Sequence, residues 1–288
     1  MVEEVLQALD PHPGEIAVDC TLGYGGHARE LLAHVQPGGR LVGLDVDPLE
    51  IPKTEARLRA LGFGPEAFTV HRSNFAGLVK ILAAENLAGA DLVLADLGVS
   101  SMQFDTPERG FSFKTEGPLD MRMNPQRGQP ASSLIARSSA AELAELFVEN
   151  ADEPQAEIIG AALAGQSFST TTALTDAIRH ATRNAAAEER DLAVRRVFQA
   201  LRIAVNDEFS ALDALLRQLP SCLLPGGRVA ILSFHSGEDR RVKKAFEAGV
   251  REGHFSAISE EVIRPSASER RANPRAASTK LRWALRNK

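Results

Sequence analysis

Cysteine, tryptophan and tyrosine are scarce, with two, one and one copies in 288 residues. Cys20 and Cys222 lie far apart, each inside an apolar segment, so neither a disulfide framework nor a cysteine-ligated metal site is expected; both read as buried packing residues. The seven histidines are scattered without His-x-x-x-His spacing, and no metal site is expected from them. Long apolar runs are also missing. Nothing approaches the roughly 20 residues that cross a bilayer, and the acidic start MVEEVLQALDPHPGE lacks the basic-then-apolar order of a secretory leader. The expectation is a cytoplasmic protein without membrane contact. An excess of positive charge is absent as well: 33 Lys and Arg against 38 Asp and Glu leave a net charge of −5, which argues against a general nucleic-acid coat.

The charge is nevertheless uneven along the chain. From Arg264 onward, Arg264, Arg270, Arg271, Arg275, Lys280, Arg282, Arg286 and Lys288 stand against Glu269 alone. A second basic group is Arg240, Arg241, Lys243 and Lys244, and Arg195, Arg196 and Arg202 punctuate a long helical pattern. Local basic surface on an acidic protein suggests docking onto a polyanion at one face; solvated helix faces and a loose tail are the plainer alternative.

What is present is an alternation of short apolar runs with amphipathic, helix-length segments. IAVDC, RLVGLDVD, FTVHR and DLVLADLGV are each followed or separated by such segments, at 26–35, 48–61 and 74–86. This is the βαβα rhythm of a parallel sheet covered on both faces. It breaks at 97–130, rich in Gly, Pro, Ser, Asp and Arg, and only helical patterns follow to about residue 219. GRVAILSF at 227–234 resumes the sheet, a helix is expected at 236–249, and STKLRWALR reads as a last strand. A helical domain inserted between the fourth and fifth strands explains the order. The expected boundaries are 1–115 and 215–288 for the sheet domain and 116–214 for the insert.

In an open α/β sheet, ligands bind beyond the carboxyl ends of the strands. Polar clusters occur at each such end: Asp19 to Gly26, Asp45-Val-Asp47, Asn74-Phe75, Asp96 and Ser233-Phe-His235. Gly23, Gly25 and Gly26 remove side chains where a helix begins, so a ligand can lie against backbone N–H groups. Gly23-x-Gly25 with Asp45 about twenty residues on partly matches a dinucleotide fingerprint, but Gly-x-Gly-Gly-His misplaces the third glycine. A carboxylate at the end of the second strand serves any adenosine-containing cofactor. S-adenosylmethionine carries an amino-acid end instead of a pyrophosphate; the glycine turn suits its carboxylate, and Asp19 can face its ammonium group. With Phe75 available to line an adenine slot, the residues favour this methyl donor over NAD.

Cytosine C5 methylation needs a cysteine nucleophile, and neither cysteine lies in the loop after the fourth strand. An exocyclic amine instead needs acceptors for its N–H groups and in-line placement against the methyl carbon. Asp96-Leu-Gly-Val-Ser-Ser101 suits this, although the usual Pro-Pro-aromatic portion of amino-methyltransferases is missing. From the residues alone the acceptor stays open.

Asp96-Leu-Gly-Val-Ser-Ser-Met-Gln103, Glu108-Arg-Gly-Phe-Ser-Phe113, Gly117-Pro-Leu-Asp-Met-Arg-Met-Asn124, Arg196-Val-Phe-Gln-Ala-Leu-Arg-Ile-Ala-Val-Asn-Asp-Glu208, Ser233-Phe-His-Ser-Gly-Glu-Asp-Arg240 and Asn273-Pro-Arg-Ala-Ala-Ser-Thr-Lys-Leu-Arg282 together resemble the bacterial MraW-type family. The resemblance covers nearly the whole chain. It implies a class I S-adenosylmethionine-dependent methyltransferase, a Rossmann-like α/β sheet with an inserted all-α substrate domain, acting on N4 of a decoding-centre cytidine in 16S ribosomal RNA of the small subunit. It also implies cofactor contacts at Gly25, Gly26, His27, Asp45, Phe75, Asp96 and Gln103. Gly237 departs from the family, which more often carries a larger apolar residue there.

The remaining candidates follow from position. Asp96, with Ser100 and Ser101, is expected to orient the amine. His235 either hydrogen-bonds a base or phosphate near the methyl or is a satisfied strand-end histidine; without a nucleophile elbow, a Ser/His/Asp hydrolase is disfavoured. Arg109, Asp120, Arg122 and Asn124 either clamp the flipped cytidine and its phosphates or cap helices and tie the insert to the core. On the long helix, Val197, Leu201, Ala204 and Val205 form an apolar stripe, leaving Arg195, Arg196, Arg202, Asn206 and Asp207 for a polar face. Free RNA or assembled subunit, and monomer or homodimer, stay open.

Overall fold

Strands and helices alternate through the first part of the chain, as its apolar periodicity requires. In chain order the computed structural model, which describes residues 1–288, contains α1 (Val2–Leu9), β1 (Ile16–Asp19), α2 (Gly26–Val35), β2 (Arg40–Asp45), α3 (Ile51–Ala60), β3 (Phe68–Arg72), α4 (Leu78–Ala84) and β4 (Ala90–Asp96). Helices alone follow: α5 (Ser101–Asp105), α6 (Ala131–Arg137), α7 (Ala140–Ala151), α8 (Ala156–Leu163), α9 (Thr171–Ala181), α10 (Ala187–Asn206) and α11 (Glu208–Cys222). The chain closes with β5 (Leu223–Ser233), α12 (Ser236–Arg251), β6 (Phe255–Ile258), α13 (Ala267–Ala272) and β7 (Lys280–Arg286). No helix is long and apolar enough to cross a membrane.

The seven strands form one sheet in the order β3-β2-β1-β4-β5-β7-β6. β1 to β5 pair in parallel, while β7 runs antiparallel to both β5 and β6. Parallel strands are buried on both faces and so read as continuous apolar runs. In β4, Leu92 and Leu94 enter one apolar layer and Val93 and Ala95 the opposite one, the two-residue period of a strand. The first layer is closed by α1 and α2 through Val5, Leu9, Leu31, Leu32 and Val35. The second is closed by α4, α11 and α12 through Leu78, Leu82, Leu212, Leu215, Leu219, Val242 and Phe246, and it holds both buried cysteines. Each fully buried leucine contributes about 1.5–3 kcal/mol relative to exposure. Strand order reverses at β1, which lies between β2 and β4, so the site-forming crevice is expected at the carboxyl ends of β1 and β4.

Two compact units divide this chain: Met1–Gly98 with Phe209–Lys288, and Val99–Glu208. The second therefore begins earlier than the compositional boundary at 116. Phe104, Phe111 and Phe113 pack with Ile135, Phe147, Val197 and Leu201, so the Gly- and Pro-rich stretch is structured by the helical core. In that unit Gly160 of α8 meets α7 closely; a Cβ there would lie 2.7 Å from the Ala140 carbonyl oxygen. Along α10, Val197 and Leu201 are buried as expected, Ala204 and Val205 are half-buried, and Ala193, Val194, Phe198, Ala200 and Ile203 widen the stripe. Asn206, expected on a polar face, is instead an internal clasp: its side chain accepts from the Met123 N–H at 2.7 Å and donates to the Met121 carbonyl at 2.8 Å.

Candidate active site

Three carboxylates end three adjacent strands: Asp19 on β1, Asp45 on β2 and Asp96 on β4. The turn after β1 binds them together. Thr21 donates its N–H to Asp19 Oδ1 at 3.0 Å, while its hydroxyl accepts the Asp96 N–H at 2.7 Å. The Gly23 N–H donates to Asp45 Oδ2 at 2.7 Å, so the glycine turn is bolted to the end of β2. Gly25, at φ +86°, is the residue before α2, and a Cβ there would sit 2.7 Å from Thr54 of α3. Both the left-handed backbone and the close helix demand glycine. Thr54 also donates its hydroxyl to the Gly23 carbonyl, and Arg57 stacks 3.8 Å over the Tyr24 ring.

Gly26 opens α2 from the other side of the turn. A Cβ on it would meet nothing within 4 Å, so there is room over a helix N-terminus whose first N–H groups lack intrahelical acceptors. His27 follows, with Nε2 3.7 Å from Asp96 Oδ2. Burial, reinforced by the positive amino end at Met1, lowers His27 to about 4; at neutral pH an uncharged ring therefore stands beside Asp96.

The acids themselves carry no compensating cationic side chain. Burial, against a Thr21 hydrogen bond and with added repulsion from Asp45, pushes Asp19 up to about 7. Burial, then Asp19 and Glu238, push Asp96 up to about 7, with the amino end at Met1 pulling the other way. Burial raises Asp45 too, although N–H bonds from Asp47 and Gly23 oppose it. One oxygen of Asp96, Oδ1, is buried without a hydrogen-bond partner, while the side chain as a whole remains 34% exposed. Such an acid is ready for an external donor or cation.

Phe75 begins a short 3-10 turn beyond β3, fixed by the Asn74 side chain accepting from the Ala76 N–H at 2.9 Å, and packs half-buried against the sheet layer. Beyond β5, His235 precedes α12 with its side chain 10% exposed and both ring nitrogens unbonded by hydrogen-bond geometry, although Nε2 lies 3.2 Å from Glu238. Glu238 accepts the Phe234 N–H at 2.8 Å. The departure at Gly237 has a local counterpart: a Cβ there would lie 2.7 Å from the Phe209 ring, so Phe209 fills the space that a larger residue at 237 would take.

The other sequence candidates lie in the helical unit. Ser100 and Gln103 form a reciprocal capping box on α5: Ser100 Oγ accepts the Gln103 N–H at 3.2 Å and Gln103 Oε1 accepts the Ser100 N–H at 3.0 Å. Ser101 is exposed on the first turn. Arg109 donates to the carbonyls of Arg122 and Met123 at 3.1 and 2.8 Å, Asp120 takes a bidentate grip from Arg122 at 2.7 Å on each oxygen, and Asn124 turns back on the Gln126 N–H. These four residues hold one loop in shape. Thr21, Thr54 and Glu238 escaped the sequence candidates; a polar residue between Asp19 and the glycines, and an acid three positions beyond His235, were the available signals.

Residues 1–287 match the MraW methylase family. Among curated relatives, ribosomal RNA small subunit methyltransferase H 1 of Lachnoclostridium phytofermentans is 49% identical over 99% of this chain and 80% of its own length. Ribosomal RNA small subunit methyltransferase H 2 of Alkaliphilus metalliredigens is 48% identical over 99% and 84%.

Proposed function

Because the chain belongs to the MraW methylase family, we propose that this methyltransferase places the methyl group on N4 of a decoding-centre cytidine in 16S ribosomal RNA, in the small ribosomal subunit. The observation that carries this reading is Asp96: a strand-end acid with an unpartnered buried oxygen, next to the switch point of the sheet. The residues at that edge suit the cofactor, S-adenosylmethionine. Gly25, Gly26 and His27 at the start of α2 would receive its carboxylate, Asp19 its ammonium group, Asp45 its ribose hydroxyls, and Phe75 would flank the adenine. Bound there, the cofactor supplies a methyl carbon already activated by the sulfonium charge.

The nitrogen of the target amine is weakly nucleophilic because its lone pair is delocalised into the ring. Asp96 accepts one of its N–H bonds and holds the lone pair in line, so that catalysis is largely positioning. The bound cofactor would supply the methyl group, and Asp96 would take up the proton that the amine gives up on methylation; its pKa of about 7 suits a transient acceptor. From the sequence, Ser100 and Ser101 would assist the orientation, and the family resemblance gives Gln103 a cofactor contact. His235, held against Glu238, faces the base or its phosphate. The loop built by Arg109, Asp120, Arg122 and Asn124 receives the flipped nucleotide.

Mass mapping of 16S RNA from a deletion strain is the decisive measurement. The expected result is one lost methyl group, on a cytidine amine, restored by the wild-type gene but not by Asp96→Ala. An unchanged methylation map overturns the assignment. Transfer of a tritiated methyl to free 16S RNA and to small subunits from that strain identifies the substrate form.

A further inference from the structure

The basic groups of this protein differ in how far their charge is already matched. In the helical unit, Arg196 faces Glu153 at 3.7 Å and Arg202 grips Glu208 at 2.8 and 2.9 Å. On the sheet unit, Arg282 and Lys280 converge on Asp239 at 2.7 and 3.0 Å. Arg241 lies 3.5 Å from Asp213 and over the Phe209 ring, and Lys243 pairs with Glu247 at 3.8 Å. The segment around α13 carries two neighbouring guanidinium groups without such a match. Arg264, Arg270, Arg271 and Arg275 are all exposed; Arg270 and Arg271 meet no carboxylate, and the acid beside them, Glu269, is turned 3.1 Å from the Met1 amino nitrogen.

Its place in the fold is set by strand register. Lys280, the first residue of antiparallel β7, pairs with Ser233, the last of β5. Because the strands run in opposite directions, the chain enters β7 at the edge where β5 ends and His235 precedes α12. Residues 267–279 therefore stand at the carboxyl edge of the sheet, the edge that carries Asp19, Asp45 and Asp96. Proximity to that edge has an independent sign, since Glu269 is among the charges acting on His27.

We propose that residues 267–278 form a phosphate-binding rim of the active site, with Arg270 and Arg271 contacting the backbone of the RNA strand beside the target nucleotide. The proposal rests on the RNA-methylation reading and adds to it the surface that carries the electrostatic part of binding. Unmatched guanidinium groups beside an acidic sheet edge resolve an otherwise adverse field: phosphates approach the cations on the rim, while the base alone enters among the carboxylates. Phosphate contacts of this kind fix register without reading sequence.

Methyl transfer to small subunits from the deletion strain, measured across a salt series, tests the rim. For Arg270→Ala/Arg271→Ala the KM for subunits should rise by about tenfold or more at moderate salt, and the salt slope should become shallower by about 2, one per lost phosphate contact. Cofactor affinity and melting temperature should match the wild type, and Arg270→Lys/Arg271→Lys should restore most of the KM. A wild-type KM and slope in the alanine variant overturn the rim, as does an equal loss in the lysine variant, which would mean shape rather than charge. Transfer of the whole effect to Lys243→Ala/Lys244→Ala would also overturn it. Failure of the wild-type protein to methylate the RNA at all sinks the functional reading instead, so the two failures are distinguishable.

Discussion

The acids of the helical unit and those at the carboxyl edge of the sheet are held in opposite ways. In the helical unit Asp120 is clasped by Arg122 and its carboxyl is held below the ordinary range; burial works against this, and the Arg122 hydrogen bonds outweigh it. Glu153 and Glu208 likewise face Arg196 and Arg202. At the edge of the sheet, Asp19 and Asp96 are pushed up to about 7 with no cationic side chain against them. A paired acid stabilises the fold at neutral pH; an unpaired buried one costs stability and is kept for what it binds. The location of uncompensated acid thus separates the candidate active-site edge from the scaffold.

The sharpest way to break this comparison is at Asp96. Asp96→Asn should lower turnover by about 10²–10⁴-fold, the range of a lost positioned proton acceptor, while the cofactor-free protein melts no lower than the wild type. Wild-type turnover would remove Asp96 from the chemistry. Asp19→Asn should weaken cofactor binding by roughly 10–100-fold, as expected for a charge-assisted hydrogen bond of about 1.5–3 kcal/mol, and at pH 8 should raise the melting temperature of the empty protein. Calorimetric titration and thermal unfolding read both signs; a variant that loses affinity and stability together would instead indicate a structural acid.

The pH dependence carries the same contrast. For Asp19 and Asp96 the folded pKa, about 7, exceeds the ordinary 3.8, so the folded state binds more protons than the unfolded state between those values. Their contribution to stability is fully present below about pH 4 and is lost as pH rises through 7. A positively charged cofactor favours the ionised acids, and its affinity should grow up to about tenfold per pH unit and per coupled proton as pH approaches 7. Cofactor affinity independent of pH between 5.5 and 7.5 would contradict the uncompensated state of these groups.

The smallest effect is expected on the scaffold side. The Asp120–Arg122 pair is about a fifth exposed on each partner, and Arg122→Ala should cost about 0.5–1 kcal/mol in denaturant unfolding with no change in cofactor affinity. The lowered Asp120 acts with the opposite sign to Asp19: its contribution is present above the ordinary carboxylate range and lost on acidification. A large loss of cofactor affinity in Arg122→Ala would erase the division between the two units.

Much of the chemical edge was legible because its signals are local. Gly23, Gly25, Gly26, Asp45 and Asp96 each follow an apolar run whose length and content mark a buried strand, and such runs place their carboxyl ends together. The short edge strand β6 was not legible: Phe255–Ile258 is four residues, pairs only with β7, and buries only Phe255. α1 also carries a helical stripe, Val5 and Leu9, that becomes informative only once it packs on the sheet. Ser100 and Gln103 sit three apart in a capping pattern, yet their role as cap partners competes with the catalytic and cofactor roles suggested by family resemblance, and spacing alone does not rank them.

The alternation of strands and helices, the break that inserts the helices, the glycine turn and the three acids at strand ends can be read from local pattern, since each depends on periodicity or on neighbours a few residues away. Which charges are matched emerges with the folded chain. Arg282 finds Asp239 and Arg196 finds Glu153 across more than 40 positions of chain, whereas Asp19 and Asp96, drawn together through Thr21, find no cationic side chain. Coulomb energy depends on distance in space and on exposure to water, and both are properties of the folded chain.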